Sequence, residues 1–107
     1  MNWTELTDIS QLDEIDKRSA EHVIMIYKHS DRCSICVTAL ARLERKWPEE
    51  QAPVPYFLDV REHRDVSNAV AERYNVQHES PQVLLIRNGR CEYTRSHLEI
   101  NISEIIA

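Results

Sequence analysis

Apolar positions recur along this chain with different periods, and each period predicts a different element. From Thr4 to Ser19, Leu6, Ile9, Leu12 and Ile15 lie three apart, which keeps them near one helical face and predicts an amphipathic helix with a break near Ser10. Val23 to Tyr27 is an unbroken apolar run rich in β-branched residues, the pattern of a strand buried on both faces, and Lys28 to Arg32 reads as the loop after it. From Ser34 onward Cys36, Leu40, Leu43 and Trp47 recur at intervals of four, three and four until Pro48 prevents continuation, the strongest helix pattern in the chain. Val54 to Val60 predicts a second strand. Asp65 to Tyr74 predicts a second such helix, with Val66, Ala69, Val70 and Tyr74 facing inward.

Past Pro81, Gln82 to Arg87 is apolar at its centre and is followed by Asn88-Gly89 and an alternating run from Arg90 to Arg95. Asn and Gly both tolerate the positive φ of a type I′ turn, so this segment predicts an antiparallel hairpin. Ser103 is placed to cap a last short helix through Ala107. The summed order predicts an α/β fold with a mixed sheet of about four strands and helices on both faces.

Composition narrows the function classes. At 107 residues the chain suits one domain, 1–107, and 42% hydrophobic with 29% charged residues is ordinary for a globular protein. A net charge of -5 argues against a nucleic-acid partner, which calls for clustered basic residues. The longest apolar run is far below the roughly 20 residues that cross a bilayer, and acidic Met1 to Asp13 does not resemble a signal peptide, so no membrane partner is expected. Three cysteines would leave one unpaired in a disulfide framework, which fits a reducing, cytoplasmic compartment.

Within that setting Cys33-Ser34-Ile35-Cys36 lies between the buried strand and the strongest helix. Cys33 then falls at a helix N-terminus, where unpaired amides, the positive end of the dipole and neighbouring Arg32 favour the thiolate and lower its pKa below the free value of about 8.5. Cys36 shares the apolar face of the helix, so it is expected to be the more buried. These positions assign Cys33 as the attacking sulfur and Cys36 as the thiol that resolves the mixed disulfide. The bland reading makes both small core residues, but Lys28, His29, Asp31 and Arg32 suggest a wet loop.

Ser80-Pro81 precedes the third strand. An X-Pro bond reaches the cis form far more cheaply than any other, although trans is commoner, and a cis bond would turn the Ser80 backbone toward an extended substrate with Pro81 packed on the Cys33–Cys36 turn. His29, four residues before Cys33, is a candidate for proton transfer. A zinc reading would join Cys33 and Cys36 to Cys91 and either His97 or His29. A single close-spaced pair gives it little support, and Cys91 alternates with Tyr93 in what reads as a core-facing row. No cofactor and no metal site are expected.

Lys28-His29-Ser30-Asp31-Arg32-Cys33-Ser34-Ile35, His78-Glu79-Ser80-Pro81-Gln82-Val83, the Arg64 to Asn68 stretch and the Asn88-Gly89 hairpin together resemble the YtxJ-like, bacilliredoxin-type family of thioredoxin-fold proteins. The resemblance covers nearly the whole chain. It implies a thioredoxin-like fold with a cis-proline loop at Pro81, Cys33 as nucleophile, and a cytosolic role in removing low-molecular-weight thiols, bacillithiol in some bacteria, from protein mixed disulfides. That family commonly reads cysteine, two residues, then serine, whereas this chain has Cys36, which opens a two-thiol mechanism. The expected partners are protein disulfides or mixed disulfides with low-molecular-weight thiols, and an unidentified electron donor. Arg32, Ser80 and Pro81 are the expected substrate contacts. Two other classes stand beside this reading: a metal or iron–sulfur carrier using Cys33, and a non-catalytic thioredoxin-like interaction domain.

Overall fold

A computed structural model describes residues 1–48 and 50–106. Its centre is a five-stranded mixed sheet in the order β1-β3-β2-β4-β5, formed by β1 (Thr4–Glu5), β2 (Ile24–His29), β3 (Val54–Asp59), β4 (Gln82–Arg87) and β5 (Arg90–Ser96). β2 lies in the middle, parallel to β3 and antiparallel to β4. All six β2 residues are buried, and alternation divides the four apolar ones between two cores. Ile24 and Ile26 join α1 (Gln11–Arg18) and α3 (Arg64–Tyr74) through Leu12, Ile15, Val66 and Val70, while Met25 and Tyr27 join α2 (Ser34–Lys46) and α4 (Ile102–Ile105) through Leu43 and Ile105. Each such aliphatic side chain contributes roughly 1.5–3 kcal/mol by leaving water. Two independently buried faces therefore fix the strand that leads to Cys33.

The N-terminal segment corrects the expected helix from Thr4 to Ser19: beyond the break near Ser10 the helix forms as α1, but the part before it does not. Thr4 and Glu5 instead add an edge strand parallel to Tyr56 and Phe57, and Leu6 N–H continues the ladder by donating to Phe57 O at 2.8 Å. The Gln11 side chain then holds a turn. Its Oε1 accepts from the amides of Thr7 and Asp8 at 2.8 and 3.0 Å, and its Nε2 donates to Glu5 O at 3.0 Å, so helical pairing starts only after Ser10. Leu6 is fully buried and Ile9 is exposed, which a common helical face would not produce. This edge strand accounts for the fifth member of the sheet.

The β4–β5 hairpin turns through Asn88 and Gly89 at φ 52 and 74, the left-handed pair that the dipeptide predicts. β5 carries a bulge: Leu85 pairs with Tyr93 and Ile86 with Cys91, leaving Glu92 as the extra residue. Cys91 therefore packs on the core beneath α1 and α3, and Tyr93 on the opposite core, so they do not share the row expected from alternation. The last helix also differs from expectation. Asn101, not Ser103, caps it by accepting from Ser103 N–H at 2.8 Å, and Ala107 lies outside the described residues.

Candidate active site

Cys33 occupies the N-cap position of α2. Its backbone is extended (φ -110, ψ 115), and its sulfur accepts from the Cys36 amide at 3.4 Å. An N-cap side chain usually offers a hydroxyl or carboxylate oxygen to the orphan amides of the first turn; here the acceptor is sulfur, which accepts far better as thiolate than as thiol. Accordingly, the Cys36 amide first and then a hydrogen bond from the Cys36 thiol hold the Cys33 thiol below its ordinary value against the opposing effect of burial, with a lesser contribution from the Ile35 amide. Arg32 is exposed and does not figure among these causes.

Cys36 is fully buried, and burial is the main cause that pushes its thiol up to about 11, followed by its role as donor to Cys33. The Ser30 backbone and the Ser80 side chain act in the opposite sense. The two sulfurs are free thiols with opposed tendencies, one toward the anion and one holding its proton. Beneath them the buried Tyr27 hydroxyl donates to Cys36 O at 3.0 Å and pins the first turn of α2 to the central strand. Sequence reasoning missed Tyr27, although a tyrosine ending a buried apolar run is a signal for a polar contact at the strand end.

β2 runs on through Lys28 and His29, which are buried rather than part of a wet loop. His29 Nε2 meets Asp31 Oδ1 at 3.0 Å, its ring centroid lies 5.2 Å from that of Phe57, and its buried Nδ1 has no partner among the described residues. Lys28 points to the other face. Its Nζ donates to Ser67 O at 3.2 Å and meets His78 Nδ1 at 3.2 Å, joining the central strand to α3 and to the segment leading to Ser80 and Pro81. The Ser80–Pro81 peptide is cis, Pro81 is buried, and Pro81 O accepts from His97 N–H at 3.0 Å. The structure thus gathers Cys33, Cys36 and Ser80, while Cys91 sits in the core below α1 and α3 with its thiol bonded to Tyr93 O at 3.3 Å. The zinc set drawn from Cys91 and His97 is not assembled: among the described residues no three His, Cys, Asp or Glu side chains converge as a metal site.

Burial lowers Lys28 to about 8. Between pH 8 and its unfolded value of 10.5, the unfolded chain holds a proton that the folded chain has released, so this group makes the fold more stable as pH rises through that window; below pH 8 both states are protonated and its full cost is present and constant. Against Lys28→Met, the stability of the natural chain is expected to gain on the order of 2 kcal/mol between pH 7 and pH 10, after allowance for screening. Urea unfolding of both proteins across that range measures the difference. A constant difference would contradict a depressed lysine.

Comparison with known proteins follows the same lines. The family model described as "Monothiol bacilliredoxin BrxC" matches residues 4–105. A solved structure described provisionally as an oxidoreductase with a thioredoxin fold is 31% identical, covers 94% of this chain and 88% of its own, and superposes with a TM-score of 0.82. Thioredoxins from Malassezia sympodialis and Schistosoma mansoni share the fold at 16% and 18% identity, with TM-scores of 0.74 and 0.71; the alignments cover 96% and 98% of this chain and 84% and 92% of theirs. Among the described residues no helix is long and apolar enough to cross a membrane.

Proposed function

Because the chain belongs to the monothiol bacilliredoxin family, we propose that it is a cytoplasmic reductase of protein mixed disulfides, in which Cys33 attacks and Cys36 resolves. The family and the fold make it a thiol redox protein. The observation that carries the finer reading is the Cys33 sulfur acting as helix cap to the Cys36 amide, which favours the anion at an accessible position. In the first step the Cys33 thiolate attacks the sulfur that belongs to the low-molecular-weight thiol, the protein–thiol S–S bond breaks, and the target leaves as a thiolate. Cys33 is then disulfide-bonded to the small thiol.

The second step depends on Cys36. While Cys33 is an anion, Cys36 at about 11 is ionised in only about one molecule in ten thousand at pH 7, so the reduced site holds one nucleophile. Once Cys33 is tied up in a disulfide it no longer accepts the Cys36 hydrogen bond or repels a second anion, and both of these causes of the high Cys36 value vanish. Burial, the largest cause, remains, so the Cys36 value falls without reaching that of a free thiol; the fraction that loses its proton attacks Cys33. The small thiol leaves with a proton, and the chain is left with a Cys33–Cys36 disulfide that a dithiol or thiol donor must reduce. His29 is the proposed carrier of the Cys36 proton, Ser80 and Pro81 the wall against which the substrate lies, and exposed Arg32 the contact for an anionic small thiol such as bacillithiol. In relatives with serine at the second position a hydroxyl can cap the thiolate but cannot form that disulfide.

A single-turnover experiment needs no external donor. Reduced protein mixed with a model protein carrying bacillithiol, or glutathione, on one cysteine is expected to release one equivalent of small thiol per chain while the Cys33–Cys36 disulfide forms, about tenfold faster with bacillithiol. Equal rates would overturn the bacillithiol preference. No release from either, with Cys33 reduced, would overturn the reaction.

A further inference from the structure

Beside the reactive turn, a groove of about 980 Å³ runs between α2 and the segment from β5 to α4. One end opens at Ser34 and Ile35, next to Cys33, and its opposite wall there is His97 and Leu98, joined to the Pro81 loop by the His97 N–H bond to Pro81 O. Ile35 and Leu98 are exposed, the latter at 77%, so the mouth is apolar on both sides. The other end is cationic. Arg42, Arg45 and Lys46 line it, all exposed and without an acidic partner among the described residues. Of the two carboxylates in the groove, Glu104 already accepts from Tyr93 Oη at 2.6 Å and faces Arg95 at 3.9 Å. Such a basic stretch stands out in a chain of net charge -5.

The spacing decides what fits. Along α2, Arg42 and Lys46 lie eight and twelve positions beyond Ser34, about 12 and 18 Å at 1.5 Å per residue. A small thiol joined to Cys33 would keep its charges at the mouth, where α2 carries no cation. An extended polypeptide advances about 3.3 Å per residue and covers the same span in about four to five residues.

We infer that this groove receives the protein side of the mixed disulfide: an extended acidic segment with an apolar residue beside its cysteine and carboxylates about four to five positions further along. This inference rests on the reading of Cys33 as the attacking thiol but concerns substrate choice. It adds an ion-pairing surface remote from the sulfur, through which acidic targets gain affinity and neutral ones do not.

Equilibrium binding separates it from the chemistry. Two fluorescent peptides, each with Leu beside a serine that replaces the target cysteine, carry either Glu or Gln at about the fourth and fifth positions beyond it. The Glu peptide is expected to bind the reduced protein about five- to tenfold more tightly at low ionic strength, and to lose that advantage in high salt and in the triple variant Arg42→Gln, Arg45→Gln, Lys46→Gln. Equal binding of the two peptides to the natural chain would overturn the groove assignment, as would a Glu preference that survives in the variant. An equal gain for a short oligonucleotide would mark a patch that attracts any polyanion, and would overturn it too. Because neither peptide holds a thiol, failure here leaves thiol release intact, and failure of thiol release leaves this result standing.

Discussion

Cys33→Ser is expected to lower single-turnover thiol release by at least about a thousandfold, because a serine hydroxyl at neutral pH offers almost no anion where the thiolate attacked. The fold should survive the change. Serine is an effective N-cap and would accept from the Cys36 amide in place of the sulfur, so the first turn of α2 keeps its partner. Loss of activity without loss of thermal stability separates the chemical role from a structural one. A variant that retains release within tenfold of the natural rate would show that another thiol attacks, and neither remaining candidate is suited to it: burial raises both Cys36 and Cys91.

Cys36→Ser is expected to do the opposite. A serine hydroxyl can still donate to the Cys33 sulfur, so attack should continue within about tenfold of the natural rate, while resolution stops because no second sulfur exists to form the disulfide. Intact mass after mixing with a mixed-disulfide substrate should show near-complete accumulation of chain carrying the small thiol on Cys33, cleared only when free thiol is added. The natural chain should show the mass of an internal disulfide. If both proteins accumulate the same adduct to the same extent, Cys36 serves as a hydrogen-bond donor and the chain works with one thiol, as the serine-bearing pattern would.

The parts of this site that were legible in the sequence are those set by local rules. Strong periodicity from Cys36 to Trp47 placed a helix after the buried strand, and that placement alone put Cys33 at a helix N-terminus. The Asn88-Gly89 turn was readable because so few residue pairs adopt its backbone. What failed depended on partners far along the chain. Thr4 and Glu5 become a strand because the Tyr56–Phe57 edge is free beside them. Lys28 and His29 read as loop because they are polar; the sheet and the Ser67 and His78 contacts that bury Lys28 come from α3 and from the loop before Pro81. The bulge at Glu92 shifts Cys91 to the opposite face from Tyr93, and no local pattern announces it. Arg32 was expected to help ionise Cys33, yet the lowering comes from the amides and thiol of the first turn.

The central claim is that the helix start holds one sulfur ionised and reachable while its neighbour keeps its proton. The direct measurement is the rate of iodoacetamide alkylation at each cysteine across pH, resolved by peptide mass. Cys33 is expected to react with a midpoint below the ordinary thiol value, and Cys36, scored in chains whose Cys33 is still unmodified, to remain unalkylated until pH approaches about 11. A Cys33 midpoint at or above that of an unfolded cysteine, or faster modification of Cys36 than of Cys33 at pH 7, would contradict the account.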